Sequence, residues 1–167
     1  MITKVFILGP TGSGKTTLAK GIQSRLGEDR VGVISGGSWI RDLTGIHTHG
    51  PKEAELLAKA SEAELRKDPA CSWKILKQKM LESPGVVIFE GLRNPVDFFG
   101  LWEPLDIIVY LEKRATAITP FEAHGLIQIR EFLACMEKRG VDQLMFDPNV
   151  DEVVAKVREQ NPWVDWP

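Results

Sequence analysis

Gly9-Pro10-Thr11-Gly12-Ser13-Gly14-Lys15-Thr16 matches the phosphate-binding pattern G-x-x-x-x-G-K-[S/T] at every fixed position. The flanks supply the context that the pattern requires. Upstream, Lys4-Val5-Phe6-Ile7-Leu8 is a short apolar run that reads as a buried strand. Downstream, Thr16 to Leu26 carries apolar residues at helical spacing and stops at Gly27. Glycines in such a turn let successive backbone N–H groups point inward, and the following helix N-terminus adds partial positive charge. Gly9, Thr11, Gly12, Ser13, Gly14, Lys15, Thr16 and Thr17 are therefore the expected nucleotide contacts. Lys15 is expected at the β- and γ-phosphates and the Thr16 hydroxyl at Mg²⁺, which makes ATP and Mg²⁺ the predicted cofactors. A chance glycine turn ahead of a helix is the competing reading.

Working outward, five runs read as strands: Thr3–Leu8, Val31–Ser35, Val86–Glu90, Asp106–Leu111 and, more weakly, Gln143–Phe146. Several are continuous aliphatic or β-branched runs without alternation, the pattern of a parallel sheet covered on both faces. Helices are expected between them. Lys52–Lys67 is rich in strong helix formers. Asp68-Pro69 reads as a cap followed by proline, opening a helix through about Leu81. Thr119-Pro120-Phe121-Glu122 has capping-box spacing and opens a helix that runs to Arg139 and ends at Gly140. Asp147-Pro148 opens the last helix, where Val150, Val153, Val154 and Val157 share one face. The alternation predicts an α/β fold, a three-layer doubly wound domain on a five-stranded parallel sheet. One domain over residues 1–167 is expected, with an acceptor-side helical insertion at about 36–82.

Composition narrows the classes. A net charge of −2 carries no broad basic surface for nucleic acid or anionic membrane, although a local groove can sit on a neutral protein. No basic-then-apolar leader and no apolar run near the ~20 residues of a membrane span are present, so a cytoplasmic protein is expected. Cys71 and Cys135 lie far apart, in no metal-binding spacing, and read as reduced thiols.

Two more segments carry chemistry. Val86-Val87-Ile88-Phe89-Glu90-Gly91-Leu92-Arg93 places an acid at a strand end, where open α/β sheets bind ligands. Glu90 there can hold Mg²⁺ or serve as a general base toward an acceptor hydroxyl. Arg93 can clamp a phosphate with two parallel hydrogen bonds. In Ile34-Ser35-Gly36-Gly37-Ser38-Trp39-Ile40-Arg41, the indole of Trp39 can stack on a base and Arg41 can hold an anion. A core tryptophan and a surface arginine are the alternative there. His47 and His49 read as a polar loop or substrate contact, because no third ligand lies at matching spacing.

With these three segments in this order, the chain resembles the adenylate kinase-like (nucleoside monophosphate kinase) group of P-loop kinases. The second segment resembles that group's I-S-x-G-D-x-[L/I]-R stretch, and the third its D-G-x-x-R stretch with Glu90 in place of Asp. The resemblance implies a P-loop NTPase fold and transfer of the ATP γ-phosphoryl group to a nucleotide-like acceptor, a (deoxy)nucleoside monophosphate. It implies Lys15, Glu90, Arg93 and Arg114 as catalytic, Thr16 and Glu90 at the metal, and Ser35, Trp39, Arg41 and Arg93 at the acceptor.

The chain departs from the group where a lid is expected. Only Glu112-Lys113-Arg114 and 115–119 separate the fourth strand from the helix at Pro120, a minimal lid at about 112–120. Lys113, Arg114 and Arg130 are the candidate cations for the transferred phosphoryl group. A short lid leaves room for a bulky acceptor, so a kinase acting on a hydroxyl in a polynucleotide or hydroxymethylated DNA base is a second reading. A nucleotide-dependent regulatory ATPase is a third, with no N-K-x-D guanine-reading motif in the chain.

Overall fold

The computed structural model describes residues 2–112 and, side chains of 120–122 apart, 120–167. The central strand β1 (Thr3–Leu8) is buried along its whole length, as its unbroken apolar run requires. After it come α1 (Lys15–Leu26), β2 (Val31–Ser35), α2 (Ser38–Thr44), α3 (Pro51–Lys67) and α4 (Cys71–Leu81). The second half runs β3 (Val86–Glu90), α5 (Pro95–Leu101), β4 (Ile107–Tyr110), α6 (Pro120–Lys138), β5 (Leu144–Phe146) and α7 (Val150–Gln160). All neighbouring strands pair parallel, in the order β2-β3-β1-β4-β5.

Side chains alternate between the two faces of this sheet, and both faces are covered. Val5, Ile7, Val86, Ile88, Ile107 and Val109 pack against Leu18, Ile22 and Leu26 of α1 and the valine face of α7. Phe6, Leu8, Val87, Phe89, Ile108 and Tyr110 meet the other core, which draws on α2 to α6 through residues such as Ile40, Leu57, Leu76, Phe98 and Leu133. The fold is thus the expected three-layer α/β arrangement. Among the described residues, no helix is long and apolar enough to cross a membrane.

Boundaries differ from the sequence reading where side chains satisfy backbone groups in an unexpected way. Helix α4 opens at Cys71, two residues after Pro69, because Asp68 ends α3 and its Oδ1 accepts from Ala70 N at 3.0 Å. That hydrogen bond and Lys74 hold the Asp68 carboxyl below its ordinary pKa. Helix α7 is capped by Asn149, whose Oδ1 accepts from Glu152 N at 2.9 Å, and not by Asp147. Asp147 instead takes a left-handed conformation (φ 44°), and its Oδ1 accepts from Glu112 N at 3.0 Å. Helices α2 and α5 are additions. Each is only 7 residues long, too short for a periodicity signal, although Asn94-Pro95 caps α5 with Asn94 Oδ1 accepting from Val96 N. Strands β4 and β5 are shorter than expected, and Thr119 lies outside the described residues.

Polar side chains are buried away from the loop end of the sheet as well. Lys4, counted in the sequence within an apolar run, is 4% exposed and pairs with Asp106 at 3.0 Å and Glu103 at 2.7 Å. Asp97, 3% exposed at the start of α5, accepts a hydrogen bond from Ser72 Oγ of α4. Burial pushes its carboxyl up to about 6, while the Ser72 hydrogen bond opposes that rise. Between about pH 4 and pH 6 the folded chain keeps a proton on Asp97 that the unfolded chain has released. Its contribution to stability therefore falls as pH rises through that window and is level above it, by roughly 3 kcal/mol in all. Urea unfolding of Asp97→Asn is expected to lose this fall. An equal decline in both proteins between pH 4 and 7 would assign it to other groups.

Candidate active site

Strand β1 feeds the phosphate loop, whose glycines adopt backbone angles that a side chain would strain: Gly9 φ 142°, Gly12 φ 80° and Gly14 φ 97°. A Cβ on Gly9 would lie 2.3 Å from the Leu111 carbonyl oxygen, so this position also needs glycine for space. Lys15 opens α1 and is 8% exposed. Its Nζ donates to the carbonyls of Gly9 and Pro10, each at 2.8 Å, so the ammonium is folded back over the loop. The Ser13 hydroxyl is buried in the same turn and has no hydrogen-bond partner among the described residues. An orphaned donor inside a glycine turn, beside a buried lysine, fits a phosphate group.

Strand β3 delivers Glu90 to this turn. Its register places Glu90 beside Ile7 of β1 on one side and Ser35 of β2 on the other. The Glu90 carbonyl accepts from Gly36 N at 2.8 Å, and the next residue, Gly91 (φ 72°), donates to the Ile7 carbonyl at 3.0 Å. A Cβ on Gly36 would sit 2.6 Å from the Gly91 oxygen, so this crossing depends on that glycine. The strand end is thereby pinned on both sides. From it Glu90 Oε2 accepts a hydrogen bond from Thr16 Oγ1 at 3.0 Å. Two hard oxygens about 3 Å apart match the spacing of adjacent ligands around an octahedral cation with bonds of about 2.1 Å. Thr16 and Glu90 thus fit Mg²⁺.

Arg93 follows in the loop to α5 and reaches back to the phosphate loop, with Nη2 donating to Thr11 Oγ1 at 3.3 Å. Lys15, Thr16, Glu90 and Arg93, taken from separate parts of the sequence, converge on one turn. Gly125 of α6 lies against the same loop, where a Cβ would fall 2.0 Å from the Arg93 carbonyl oxygen. Nothing local in the sequence marks Gly125, which stands mid-helix.

Other expected residues go elsewhere. Trp39 is 5% exposed and packed in the core between sheet and helices, so it presents no ring face to a base. The stacking role is corrected to a packing one, driven by the apolar area that an indole removes from water. Arg41 is turned onto its own loop: its Nη1 donates to the Ile46 and Thr48 carbonyls at 3.3 and 3.1 Å, and Nη2 lies 3.2 Å from His49 Nδ1. In this arrangement Arg41 organises residues 45–49 instead of facing the phosphate loop. Ser35 and Thr17 are exposed, at the end of β2 and in the first turn of α1. Lys113 and Arg114 lie outside the described residues. The remaining candidate cation, Arg130, is held over Phe146 at 4.6 Å and Tyr110 at 5.5 Å and is paired with Glu112 at 2.9 Å. It borders an apolar cleft of about 300 Å³ with Pro10, Tyr110, Leu126 and Ile127. Burial raises the Tyr110 phenol pKa, and the Arg130 charge opposes that rise.

No family model matches the sequence, and no curated protein matches it. Solved structures do. Shikimate kinase from Aquifex aeolicus is similar over 96% of this chain and 96% of its own, with 14% identity and a TM-score of 0.56. The fold is the P-loop NTPase fold of that kinase. Shikimate kinases from Bacteroides thetaiotaomicron (19% identity, 97% of this chain and 99% of that one, TM-score 0.47) and from Acinetobacter baumannii in complex with shikimate (14%, 98% and 94%, 0.49) also match. At these identities the likeness carries the fold and leaves the chemistry to the residues themselves.

Proposed function

We propose that this protein is an ATP-dependent phosphotransferase that moves the γ-phosphoryl group to a small-molecule acceptor. The carrying observation is the Thr16–Glu90 pair, 3.0 Å apart, beside a phosphate loop whose lysine lies over the turn. In this reading the loop amides and Lys15 bind the triphosphate and take up charge as it shifts toward the leaving group. Thr16 and Glu90 would hold Mg²⁺, which would supply positive charge against that of the triphosphate. The hydrogen bond between Glu90 and Thr16 favours the metal role for Glu90 over that of a base. Arg93, already in contact with the loop through Thr11, orients the acceptor against the γ-phosphate.

The finer reading is a nucleotide-like acceptor, a (deoxy)nucleoside monophosphate, and it rests on the three-segment resemblance. With Trp39 in the core, base recognition falls to other residues. The test follows γ-labelled ATP in an acceptor panel with Lys15→Ala as blank. The panel holds ribo- and deoxynucleoside monophosphates, nucleosides, shikimate and related hydroxy acids, plain DNA and hydroxymethylated DNA. Label on a monophosphate is expected. Label on a hydroxy acid or on DNA alone would overturn the nucleotide acceptor while keeping the kinase, and free phosphate alone would overturn both. With the labelled acceptor in hand, Arg93→Ala is expected to raise its KM on the order of 10- to 100-fold, the worth of a charge-assisted hydrogen bond. An unchanged KM would remove the clamp.

A further inference from the structure

The loop that carries Arg93 is hemmed in by two glycines. From the β2 side, a Cβ on Gly36 would lie 2.6 Å from the Gly91 carbonyl oxygen and 3.0 Å from Leu92 Cα. From α6, a Cβ on Gly125 would lie 2.0 Å from the Arg93 carbonyl oxygen and 3.4 Å from Pro95 Cδ. Both walls meet backbone or a proline ring, so no flexible side-chain end could swing aside. Gly125 is buried and heads the apolar stripe of α6 that continues at Ile129 and Leu133, both 0% exposed. Such a position ordinarily carries a large apolar side chain, and glycine inside a helix is unfavourable. The seat for the Arg93 carbonyl accounts for both departures.

Neither partner has room to back away. Ile129 and Leu133 hold α6 in the core that also takes Phe98 of α5. Between them Phe132 packs ring to ring on Phe98, Phe99 and Trp102, at centroid distances of 6.1, 5.0 and 5.2 Å. On the loop, Leu92 is 1% exposed and Asn94 caps α5. A carbon facing a carbonyl oxygen sits at about 3.3–3.6 Å, so a methyl group at residue 125 drives helix and loop apart by roughly 1 Å or more. Arg93 takes that displacement directly. Its carbonyl faces Gly125 while its Nη2 donates to Thr11 Oγ1 of the phosphate loop at 3.3 Å, already long for a hydrogen bond.

We propose that Gly125 is a positioning residue for phosphoryl transfer: its bare backbone seats the Arg93 carbonyl and so sets where the guanidinium stands over the phosphate loop. The proposal rests on the phosphotransferase reading and deepens it, by making α6 one of the elements that place Arg93. Gly125 acts through Arg93 and needs no contact of its own with nucleotide or acceptor. A misplacement of about 1 Å remote from the chemistry can cost on the order of 10²-fold in rate.

The first test compares crystal structures of the nucleotide-free full chain, wild type and Gly125→Ala. Arg93 Nη2 is expected to leave Thr11 Oγ1 in the variant, and a contact kept at its wild-type length would overturn the proposal. Transfer from γ-labelled ATP is then measured on the panel component that takes label. Gly125→Ala is expected to lower kcat/KM for that acceptor on the order of 10²-fold, with KM for ATP unchanged. Combined with Arg93→Ala it is expected to cost little more than Arg93→Ala alone, because both remove the same placement. Fully additive losses would assign the effect to general packing and overturn the proposal. Gly21→Ala is the control, a mid-helix glycine of α1 whose Cβ would lie 2.6 Å from Val150 Cγ2. It is expected to lower Tm without moving the acceptor kinetics, and an equal loss of kcat/KM there would also overturn the proposal. If Gly125→Ala does not fold, Gly36→Ala presses the same loop from the β2 side, and an unmoved Arg93 in that crystal overturns the seat. If nothing in the panel takes label, the phosphotransferase reading falls, while the crystal comparison still decides what holds Arg93.

Discussion

Lys15→Ala is expected to lower phosphoryl transfer by about 10²- to 10³-fold, the range seen when one preorganised electrostatic group is removed from a developing charge. The argument is geometric. Lys15 Nζ is fixed by the Gly9 and Pro10 carbonyls at 2.8 Å each, in a turn where the side chain is 8% exposed. Its charge is thus partly shielded from water and held beside the turn that the triphosphate would enter. The same two hydrogen bonds predict a smaller structural effect. The buried Gly9 carbonyl loses this donor, while that of Pro10 keeps Ser13 N at 3.2 Å; the loss costs about 1–3 kcal/mol and lowers Tm by several degrees in a chain of this size. Label transfer and a thermal melt on the same preparation separate the two effects. Near-wild-type transfer by a folded Lys15→Ala protein would take the lysine out of the mechanism.

Glu90→Gln is expected to cost on the order of 10² or more in Mg²⁺-dependent transfer while nucleotide binding survives. Glutamine preserves length and can still accept from Thr16 Oγ1, now at 3.0 Å from the carboxylate, so the strand end stays pinned through Gly36 and Gly91. What it removes is the negative charge that a divalent cation requires. The Mg²⁺ concentration for half-maximal rate should therefore rise at least about tenfold. If the rate falls with no change in the Mg²⁺ midpoint, Glu90 acts as a base on the acceptor. If neither moves, the pair is a structural hydrogen bond.

Much of this site is legible before any fold is known, because a phosphate loop is a local object. Gly9, Gly12 and Gly14 announce left-handed backbone, and Lys15 and Thr16 follow at fixed offsets. Glu90 and Arg93 are legible for a related reason: the end of an apolar run is the end of a strand, and strand ends in a parallel sheet face one side. The layer order is equally readable. Short apolar runs without alternation, bounded by turn residues, read as strands buried on both faces, and such strands require helices above and below.

Local signals fail where a residue's role depends on its distant neighbours. Trp39 and Arg41 follow a strand end within a few residues, as Arg93 does, yet the first is drawn into the core and the second folds onto the Ile46 and Thr48 carbonyls. Their identity fits a ligand contact and a packing role equally well. Burial decides, and burial is a property of the assembled layers. Lys4 shows the converse, a charged side chain in a central strand made tolerable by Asp106 and Glu103 about a hundred residues later.

By itself, then, the sequence determines the phosphate loop, the parallel sheet with its two helical layers, and the acid at the end of the third strand. Each follows from spacing within a few residues, where backbone geometry leaves little choice. Only the tertiary structure decides that Thr16 and Glu90 meet at 3.0 Å, that Trp39 is core, and that α6 brings Gly125 to Arg93. These meetings join segments separated by thirty or more positions. They depend on the packing of whole elements, down to the absence of one Cβ at Gly125.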